Sequence, residues 1–166
     1  ADPKALYFIE IGMVDFYMSE NSNTAEDVVA NITTAVTRLA ELGAKRFIIG
    51  NSLNLDDFPG FKSLAGGAGK FSTNMNTKLP GEMEKLAQEL KVQIEIFDMA
   101  AAAKQIQSNP EQYGFTELVR PCTQLPIDDS AETCANPDEY YYWGYYYLTH
   151  HVHQILGEAM AKQVSE

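Results

Sequence analysis

Three histidines close to the C-terminal end are the residues best suited to bind a metal or to move a proton. They are His150, His151 and His153, and the chain has no others. His150 and His153 are three positions apart, so on a helix they share a face and could bind zinc or copper. Two imidazoles do not complete a metal site, so we predict no metal and no cofactor. For the histidines we favour a solvated or helix-capping role. A general base supplied by His150 or His151 is the alternative.

Carboxylates form a second group with possible chemistry. The adjacent pairs Asp56–Asp57 and Asp128–Asp129 both fall in predicted loops. Paired carboxylates can bind calcium or exchange protons, but neighbouring loop acids are more often solvated. Asp15 lies just after Gly12 in a further loop. We expect it to be a structural carboxylate that accepts hydrogen bonds from loop amides.

The chain has two cysteines, Cys122 and Cys134, on either side of a polar and acidic stretch. An isolated pair around such a loop favours one disulfide, and two unrelated thiols are the alternative. A disulfide places a chain outside the reducing cytosol. The N-terminus shows no signal peptide, which a mature secreted chain would have lost. We therefore predict a secreted or periplasmic protein.

The segment Tyr140–Tyr147 has seven aromatic residues in eight positions. Tyrosine and tryptophan concentrate at interfaces because they combine apolar area with a polar atom. Their flat rings also stack on sugars and other planar ligands. We predict a binding surface here, and a packed segment with surface hydroxyls is the alternative. The predicted binding residues are Tyr142, Trp143, Tyr145, Tyr146 and Tyr147.

Length and charge narrow the classes of protein. The chain has 166 residues, of which 45% are hydrophobic, and this predicts one globular domain over residues 1–166. Its net charge of −11 argues against nucleic acid and against anionic membranes as partners. No apolar run is long enough to form a transmembrane segment.

Short apolar runs alternate with helical patterns along the chain. This order predicts an α/β fold with a parallel sheet and helices on both faces. A kink or break is expected at Pro80. Thr24 and Thr149 are predicted to cap the helices that they begin. The predicted strands are Leu6–Ile11, Arg46–Gly50 and Gln93–Phe97, and the predicted helices are Thr24–Leu42, Lys70–Leu90, Met99–Gln107 and Thr149–Lys162.

The first predicted strand raises a question about the sheet. Leu6–Ile11 is apolar on both faces, which predicts a buried strand. Three strands make a small sheet, and this strand has no Lys or Pro to protect an open edge. We expect another element to cover it, either a further part of the domain or a second chain.

Four segments carry a set of motifs, namely Ala5–Asp15, Asn109–Phe115, Cys134–Tyr140 and Tyr142–Thr149. Together they resemble the SGNH, or GDSL-type, ester hydrolases, in particular their secreted bacterial lipase and lysophospholipase branch. Ala5–Asp15 is similar to a strand and loop of that family that ends in Gly-x-Asn-Asp. Asn109–Phe115 and Cys134–Tyr140 are similar to later segments. Tyr142–Thr149 is similar to the last motif, Phe-Trp-Asp-x-x-His-Pro-Thr. The resemblance implies the C-terminal part of a three-layer α/β/α, flavodoxin-like fold that lacks the family's N-terminal strands.

The chain departs from the family at the positions that carry its chemistry. The oxyanion Asn of the family falls on Val14, its Asp on Gly144 and its His on Tyr147. The nucleophilic Ser would lie upstream, and no Gly-Asp-Ser segment is present. Acyl transfer needs a nucleophile, a base and oxyanion donors, so the resemblance implies a degenerate active site.

We therefore predict a non-catalytic SGNH-like protein that acts in binding or assembly. A protein partner or a second copy would contact Leu6–Ile11 and Tyr140–Tyr147. The alternative is an ester hydrolase whose Ser and oxyanion groups come from another chain or from a removed upstream segment. An engineered or isolated fragment without natural activity is a third interpretation.

Overall fold

The computed structural model describes residues 1–19, 21, 23–64, 67–123 and 132–165 of the chain. These residues form two compact units. The first comprises Ala1–Leu55 and Gly66–Met99, and the second comprises Asp56–Ala65 and Ala100–Glu166. The single domain over residues 1–166 stays a prediction. The pair Asp128–Asp129 lies outside the described residues.

A three-stranded parallel sheet forms the centre of the first unit. Its strands are β1 (Leu6–Ile9), β2 (Arg46–Gly50) and β3 (Gln93–Phe97), in the order β1-β2-β3. All residues of β2 after Arg46 are buried, as expected of the central strand of a covered parallel sheet. The sheet and the helices of the chain confirm the predicted α/β fold class.

Strand β1 differs from its prediction. It ends at Ile9 rather than at Ile11. Leu6 is 39% exposed and Phe8 is 47% exposed, so the prediction that both faces of this strand are buried is wrong. The cause is its place in the sheet, because within the described residues β1 is an edge strand that pairs only with β2.

Two long helices pack against each other in the first unit. Helix α2 (Thr24–Glu41) buries Val28, Ile32 and Val36, which lie four positions apart on one face. Thr24 does not cap it. The N-cap is Asn23, which makes no side-chain cap hydrogen bond, and the Thr24 hydroxyl instead lies 2.8 Å from the Ser19 hydroxyl.

Helix α3 (Gly67–Leu90) runs through Pro80, so the predicted break does not occur, and a kink there stays a prediction. A proline inside a helix removes one hydrogen bond and costs about 3 kcal/mol. Here the proline is exposed, while Leu79 and Met83 on either side of it are buried. Burial of the apolar face of α3 offsets the lost bond.

The residues after β1 form a short helix, α1 (Met13–Ser19), where a loop was predicted. Gly12 makes the bend into it with φ of +128°, a conformation that favours glycine. Phe16 is buried in α1 and its ring contacts Phe71 at 5.3 Å between centroids. This packing explains why so short a segment is helical, since isolated helices of this length are unstable.

The described residues of the second unit contain a small antiparallel hairpin and two α-helices, one of which begins at the last residue of the first unit. The last helix starts one residue after Thr149 and ends beyond the predicted Lys162. Within the described ranges, no helix is long and apolar enough to cross a bilayer. The elements are α4 (Met99–Ser108), β4 (Tyr142–Gly144), β5 (Tyr147–Leu148) and α5 (His150–Ser165).

Candidate functional site: the aromatic hairpin

Strands β4 and β5 turn the aromatic segment into a two-faced hairpin. Tyr142 lies opposite Leu148, and Gly144 lies opposite Tyr147, with an irregularity between the two positions on β4. Tyr142 and Leu148 are buried, while Trp143 is 38% exposed and Tyr147 is 59% exposed. Because neighbouring strand residues point to opposite faces, Trp143 and Tyr147 form what we call the outer face.

Tyr142 and Leu148 form the opposite, buried side of the hairpin, which we call the inner face. Tyr142 is also part of the core of its unit. Its hydroxyl donates to the carbonyl oxygen of Asp57 at 2.9 Å. Its ring contacts Phe58 at 5.3 Å and Tyr141 at 4.9 Å between centroids. Only 1% of Tyr142 is exposed, so this predicted binding residue has no ring area to offer a ligand.

Tyr146 packs directly over Gly60. The amide of Gly60 donates to the carbonyl oxygen of Tyr145 at 2.9 Å, and the Tyr146 hydroxyl donates to the carbonyl oxygen of Gly60 at 3.3 Å. The Tyr146 ring also meets Phe61 edge-on at 5.0 Å. A Cβ on residue 60 would lie 2.1 Å from Cε1 of Tyr146, so glycine is required for this approach.

We expect Gly60→Ala to lower the free energy of unfolding by about 2 kcal/mol, because the added methyl group displaces a packed ring. Chemical denaturation followed by circular dichroism measures this. Gly81→Ala is the matched control, since a Cβ there meets nothing within 4 Å and alanine favours the helix. Equal stability of the parent chain and Gly60→Ala would contradict the packing of Tyr146.

The disulfide predicted between Cys122 and Cys134 is confirmed, and it holds β4. The Cα atoms of the two cysteines are 4.9 Å apart. The amide of Cys122 donates to the Tyr142 carbonyl oxygen at 2.9 Å, and the amide of Thr123 donates to the Trp143 carbonyl oxygen at 2.8 Å. The backbone that carries Trp143 is therefore fixed by a covalently closed segment.

A turn around Glu117 fixes the approach to β4. The Tyr141 amide donates to the Glu117 carbonyl oxygen at 2.9 Å. The Glu117 carboxylate accepts from the Arg120 amide at 3.0 Å and from the Arg120 Nε at 2.6 Å. Its pKa lies below the ordinary value, chiefly because the Arg120 backbone N–H donates to the charged form.

Burial also changes the acid–base properties of Tyr141 and Tyr142. Removal from water raises the pKa of both Tyr141 and Tyr142, because the phenolate is the form that burial disfavours. The negative charge of Asp57 raises both pKa values further. Neither hydroxyl is thus suited to lose a proton near neutral pH.

These raised pKa values predict a loss of stability in alkali. Above about pH 10 the unfolded chain ionises these tyrosines, while the folded chain keeps them protonated. The contribution of these two tyrosines to stability is therefore fully present below about pH 10. Above this pH, each of them lowers the free energy of unfolding by about 1.4 kcal/mol per pH unit. Denaturant unfolding at several alkaline pH values measures the slope, which Tyr142→Phe should reduce. An identical slope in the two proteins would contradict the burial of this phenol.

The histidines of α5 use ring nitrogens in backbone contacts. His151 Nε2 lies 2.8 Å from the Tyr113 carbonyl oxygen, and His153 Nδ1 lies 2.8 Å from the Thr149 carbonyl oxygen. A carbonyl only accepts, so each of these nitrogens carries a proton. His150 is exposed. Among the described residues, no group of three or more His, Cys, Asp or Glu side chains could hold a metal ion.

Thr149 does not act as the predicted side-chain cap of α5. Its hydroxyl donates to the carbonyl oxygen of Tyr140 at 2.8 Å. The Thr149 amide donates to the carbonyl oxygen of Tyr141 at 3.1 Å. Thr149 therefore ties the start of α5 to the residues before β4. The Thr149 hydroxyl therefore donates to a backbone carbonyl oxygen before β4, whereas a capping hydroxyl would accept from a backbone amide in the first turn of α5.

The residues at which the resemblance places the catalytic groups lie in different elements of the structure. Val14 lies in the first turn of α1 and is 66% exposed. The structure brings Gly144 and Tyr147 together as cross-strand partners, and neither supplies a carboxylate or an imidazole. Asp15 also lies on α1, and its carboxylate makes no hydrogen bond to any described residue, contrary to its prediction.

The segment Asp56–Phe61 is the part of the site that sequence reasoning missed. Asp56 and Asp57 were considered for their carboxylates, but Asp57 contributes its carbonyl oxygen to the hairpin. The separation of 85 residues from Tyr142 gives no local signal of this contact. The sequence does hold one signal of this contact. Phe58 and Phe61 are large apolar residues in a predicted loop, and such rings need packing partners from another segment.

Comparison with known proteins points to the group that the motifs suggested. The chain is 25% identical to a GDSL esterase/lipase of Arabidopsis thaliana over 188 aligned positions, covering 93% of the chain and 47% of the relative. It is 22% identical to GDSL esterase/lipase 5 of the same plant over 176 positions, covering 88% and 46%. It is 25% identical to the thermolabile hemolysin of Vibrio parahaemolyticus over 177 positions, covering 93% and 40%.

No protein-family model matches the chain. The chain spans less than half of the length of these curated relatives. The similarity supports an SGNH/GDSL hydrolase-like chain, which agrees with the motifs and with the α/β fold class.

Proposed function

We propose that this chain is an SGNH hydrolase-like binding protein without ester-hydrolysing chemistry of its own, and that its ligand lies on the outer face of the aromatic hairpin. One observation carries the proposal. Gly144 and Tyr147 lie opposite each other at the positions where the resembled motif has its acid and base. The hairpin therefore presents a bare backbone and an aromatic ring where an acid–base pair would lie.

The side chains present do not replace the missing pair. Glycine cannot orient a base, and a phenol is a weak general base at neutral pH. His151 already donates Nε2–H to the Tyr113 carbonyl, and its ring meets Phe115 edge-on at 4.9 Å. Val14 has no hydrogen-bond donor in its side chain for an oxyanion.

The outer face has the properties of a prepared binding surface. Tyr141, Tyr142 and Tyr146 make ring contacts within their unit. The side chains of Trp143 and Tyr147 make no ring contact or hydrogen bond with any described residue, although both are large and exposed. The backbone of these two residues is held by hydrogen bonds from Cys122 and Thr123 and by the pairing of β4 with β5. Ligand binding would therefore cost little conformational entropy.

Sugar rings, through their apolar C–H faces, and planar neutral molecules suit this surface. A flat ring can stack on an exposed indole or phenol, and the indole N–H and the hydroxyl can donate to sugar oxygens. The net charge of −11 disfavours nucleic acid and other polyanions. The disulfide supports a secreted or periplasmic location, where such ligands are present.

Trp143 is the only tryptophan of the chain, so its fluorescence reports directly on the outer face. We expect soluble neutral oligosaccharides to change its emission in a saturable way. Tyr147→Ala should weaken binding about tenfold, as expected from loss of one stacking ring. Val119→Ala is the control, since Val119 is also exposed but lies outside the hairpin. A linear, unsaturable response to oligosaccharides and to planar aromatic ligands would overturn the proposal.

A second candidate is an ester hydrolase completed by another polypeptide that supplies Ser and the oxyanion donors. The similarity to GDSL esterase/lipases favours it. It needs a base from α5, and His150 is the better choice because His151 and His153 hold backbone carbonyls. This candidate predicts turnover that depends on His150.

A further inference from the structure

We propose that the disulfide between Cys122 and Cys134 is a site of thiol–disulfide exchange, and that its reduction by a dithiol weakens ligand binding on the outer face. The effect on binding rests on the proposed function, whereas the exchange reaction does not. The disulfide is then a redox switch of the aromatic hairpin as well as a structural bond.

Backbone hydrogen bonds connect the disulfide to the outer face. The amide of Cys134 donates to the carbonyl oxygen of Cys122 at 2.9 Å. The amide of Cys122 donates in turn to the carbonyl oxygen of Tyr142 at 2.9 Å. The next amide, that of Thr123, donates to the carbonyl oxygen of Trp143 at 2.8 Å. The chain of contacts therefore runs from both cysteines to the strand that carries Trp143.

The two cysteines differ in their access to solvent. Cys122 is 4% exposed, whereas Cys134 is half-buried and its neighbours from Glu132 to Asn136 include exposed residues on either side of it. A cleft of about 180 Å³ lies beside the disulfide and is lined by both cysteines. This cleft gives a thiol room to approach Sγ of Cys134. Accessible disulfides are the ones that exchange readily, because the rate depends on access to the sulfur that is attacked.

The exchange balances atoms and electrons in two steps. A thiolate of the dithiol attacks Sγ of Cys134, the bond between the two cysteines breaks, and Cys122 leaves as a thiolate that takes up a proton from solvent. The second thiolate of the reductant then attacks its own sulfur in the mixed disulfide and releases Cys134. Two electrons and two protons pass to the protein, and the dithiol is oxidised to a disulfide.

Reduction removes a covalent closure over 12 positions and leaves the segment held by weaker contacts. One of these is the antiparallel bridge between Thr123 and Thr133, whose hydroxyl oxygens lie 3.4 Å apart. Tyr142 keeps its own packing, since its ring contacts Phe58 and Tyr141. The reduced chain should therefore stay folded while the backbone of β4 loosens, and ligand binding must then restore that order.

Brief incubation of the full chain with glutathione, followed by N-ethylmaleimide, tests the site of exchange. Peptide mapping should find glutathione on Cys134 and maleimide on Cys122, in about tenfold excess over the reverse, because the accessible sulfur is attacked. The variant with both cysteines changed to serine is the control and should take up neither reagent. Glutathione mainly on Cys122, or no adduct on the folded parent, would overturn the proposal.

Titration with soluble neutral oligosaccharides, followed by Trp143 emission, tests the coupling to the outer face. Dithiothreitol should weaken binding by the parent about tenfold, since binding to the reduced chain must also order β4. The same reagent should leave the affinity of the double serine variant unchanged. Equal affinities of the oxidised and the reduced parent would contradict the switch.

Acrylamide quenching of Trp143 separates the switch from the proposed function. If the oxidised parent binds neither oligosaccharides nor planar ligands, the proposed function fails, and quenching alone then decides on the switch. Quenching should rise when the parent is reduced, while the far-UV circular dichroism stays unchanged. Quenching that does not respond to reduction, or a global loss of circular dichroism, would show that the disulfide does not switch the outer face.

Discussion

Replacement of Tyr142 by alanine will lower the free energy of unfolding by about 4 kcal/mol. The side chain is 1% exposed and packs against Phe58 and Tyr141, so its removal leaves a cavity. It also leaves the Asp57 carbonyl oxygen without the hydrogen bond that it accepts from the Tyr142 hydroxyl at 2.9 Å. Denaturant unfolding followed by circular dichroism measures the effect.

Two variants separate the causes of this loss. Tyr142→Phe keeps the ring and should cost about 1 kcal/mol, the usual net value of one hydrogen bond. Tyr147→Ala removes a ring of similar size from the outer face, where it is 59% exposed, and should change stability by less than about 0.5 kcal/mol. A larger loss for Tyr147→Ala than for Tyr142→Ala would show that the two faces are assigned the wrong way round.

Removal of the disulfide will have the second largest effect. Changing Cys122 and Cys134 together to serine should lower stability by about 3 kcal/mol, since their separation of 12 residues closes a short loop. The cost includes the constraint that Cys122 and Thr123 place on β4 through their amides. Exchange of those amides should accelerate in the double variant.

Reduction of the parent chain provides the control for the disulfide. A reductant should lower the stability of the parent to that of the double serine variant and leave the variant unchanged. Full stability of the reduced parent would indicate that the hairpin is held by its packing alone.

The sheet was predictable because its signals are local. Arg46–Gly50 and Gln93–Phe97 were predicted with the bounds that the structure shows, since each is a short segment rich in β-branched and aromatic residues. The disulfide was equally predictable from an isolated pair of cysteines. Helix α3 was predicted but not its continuity, because burial of Leu79 and Met83 outweighs the local effect of Pro80.

The hairpin could be predicted only in part. Its richness in aromatic residues marked a site, but the sequence does not tell Tyr142 from Trp143, which lie on opposite faces of the same strand. That assignment depends on distant partners, namely the Asp57 carbonyl oxygen and the close approach of Gly60. Contacts over such separations leave no periodic signal in the sequence. The edge position of β1 likewise depends on strand order, which an apolar pattern does not encode.

Ester turnover by the purified chain tests most directly the claim that it has no ester-hydrolysing chemistry of its own. The assay uses p-nitrophenyl butyrate, with His150→Ala measured in parallel. We predict that both proteins hydrolyse the ester at the rate of the buffer blank, because Gly144 and Tyr147, at the positions where the resembled motif has its Asp and His, supply neither a carboxylate nor an imidazole. Turnover well above the blank in the parent chain, lost in His150→Ala, would contradict the claim and establish the hydrolase.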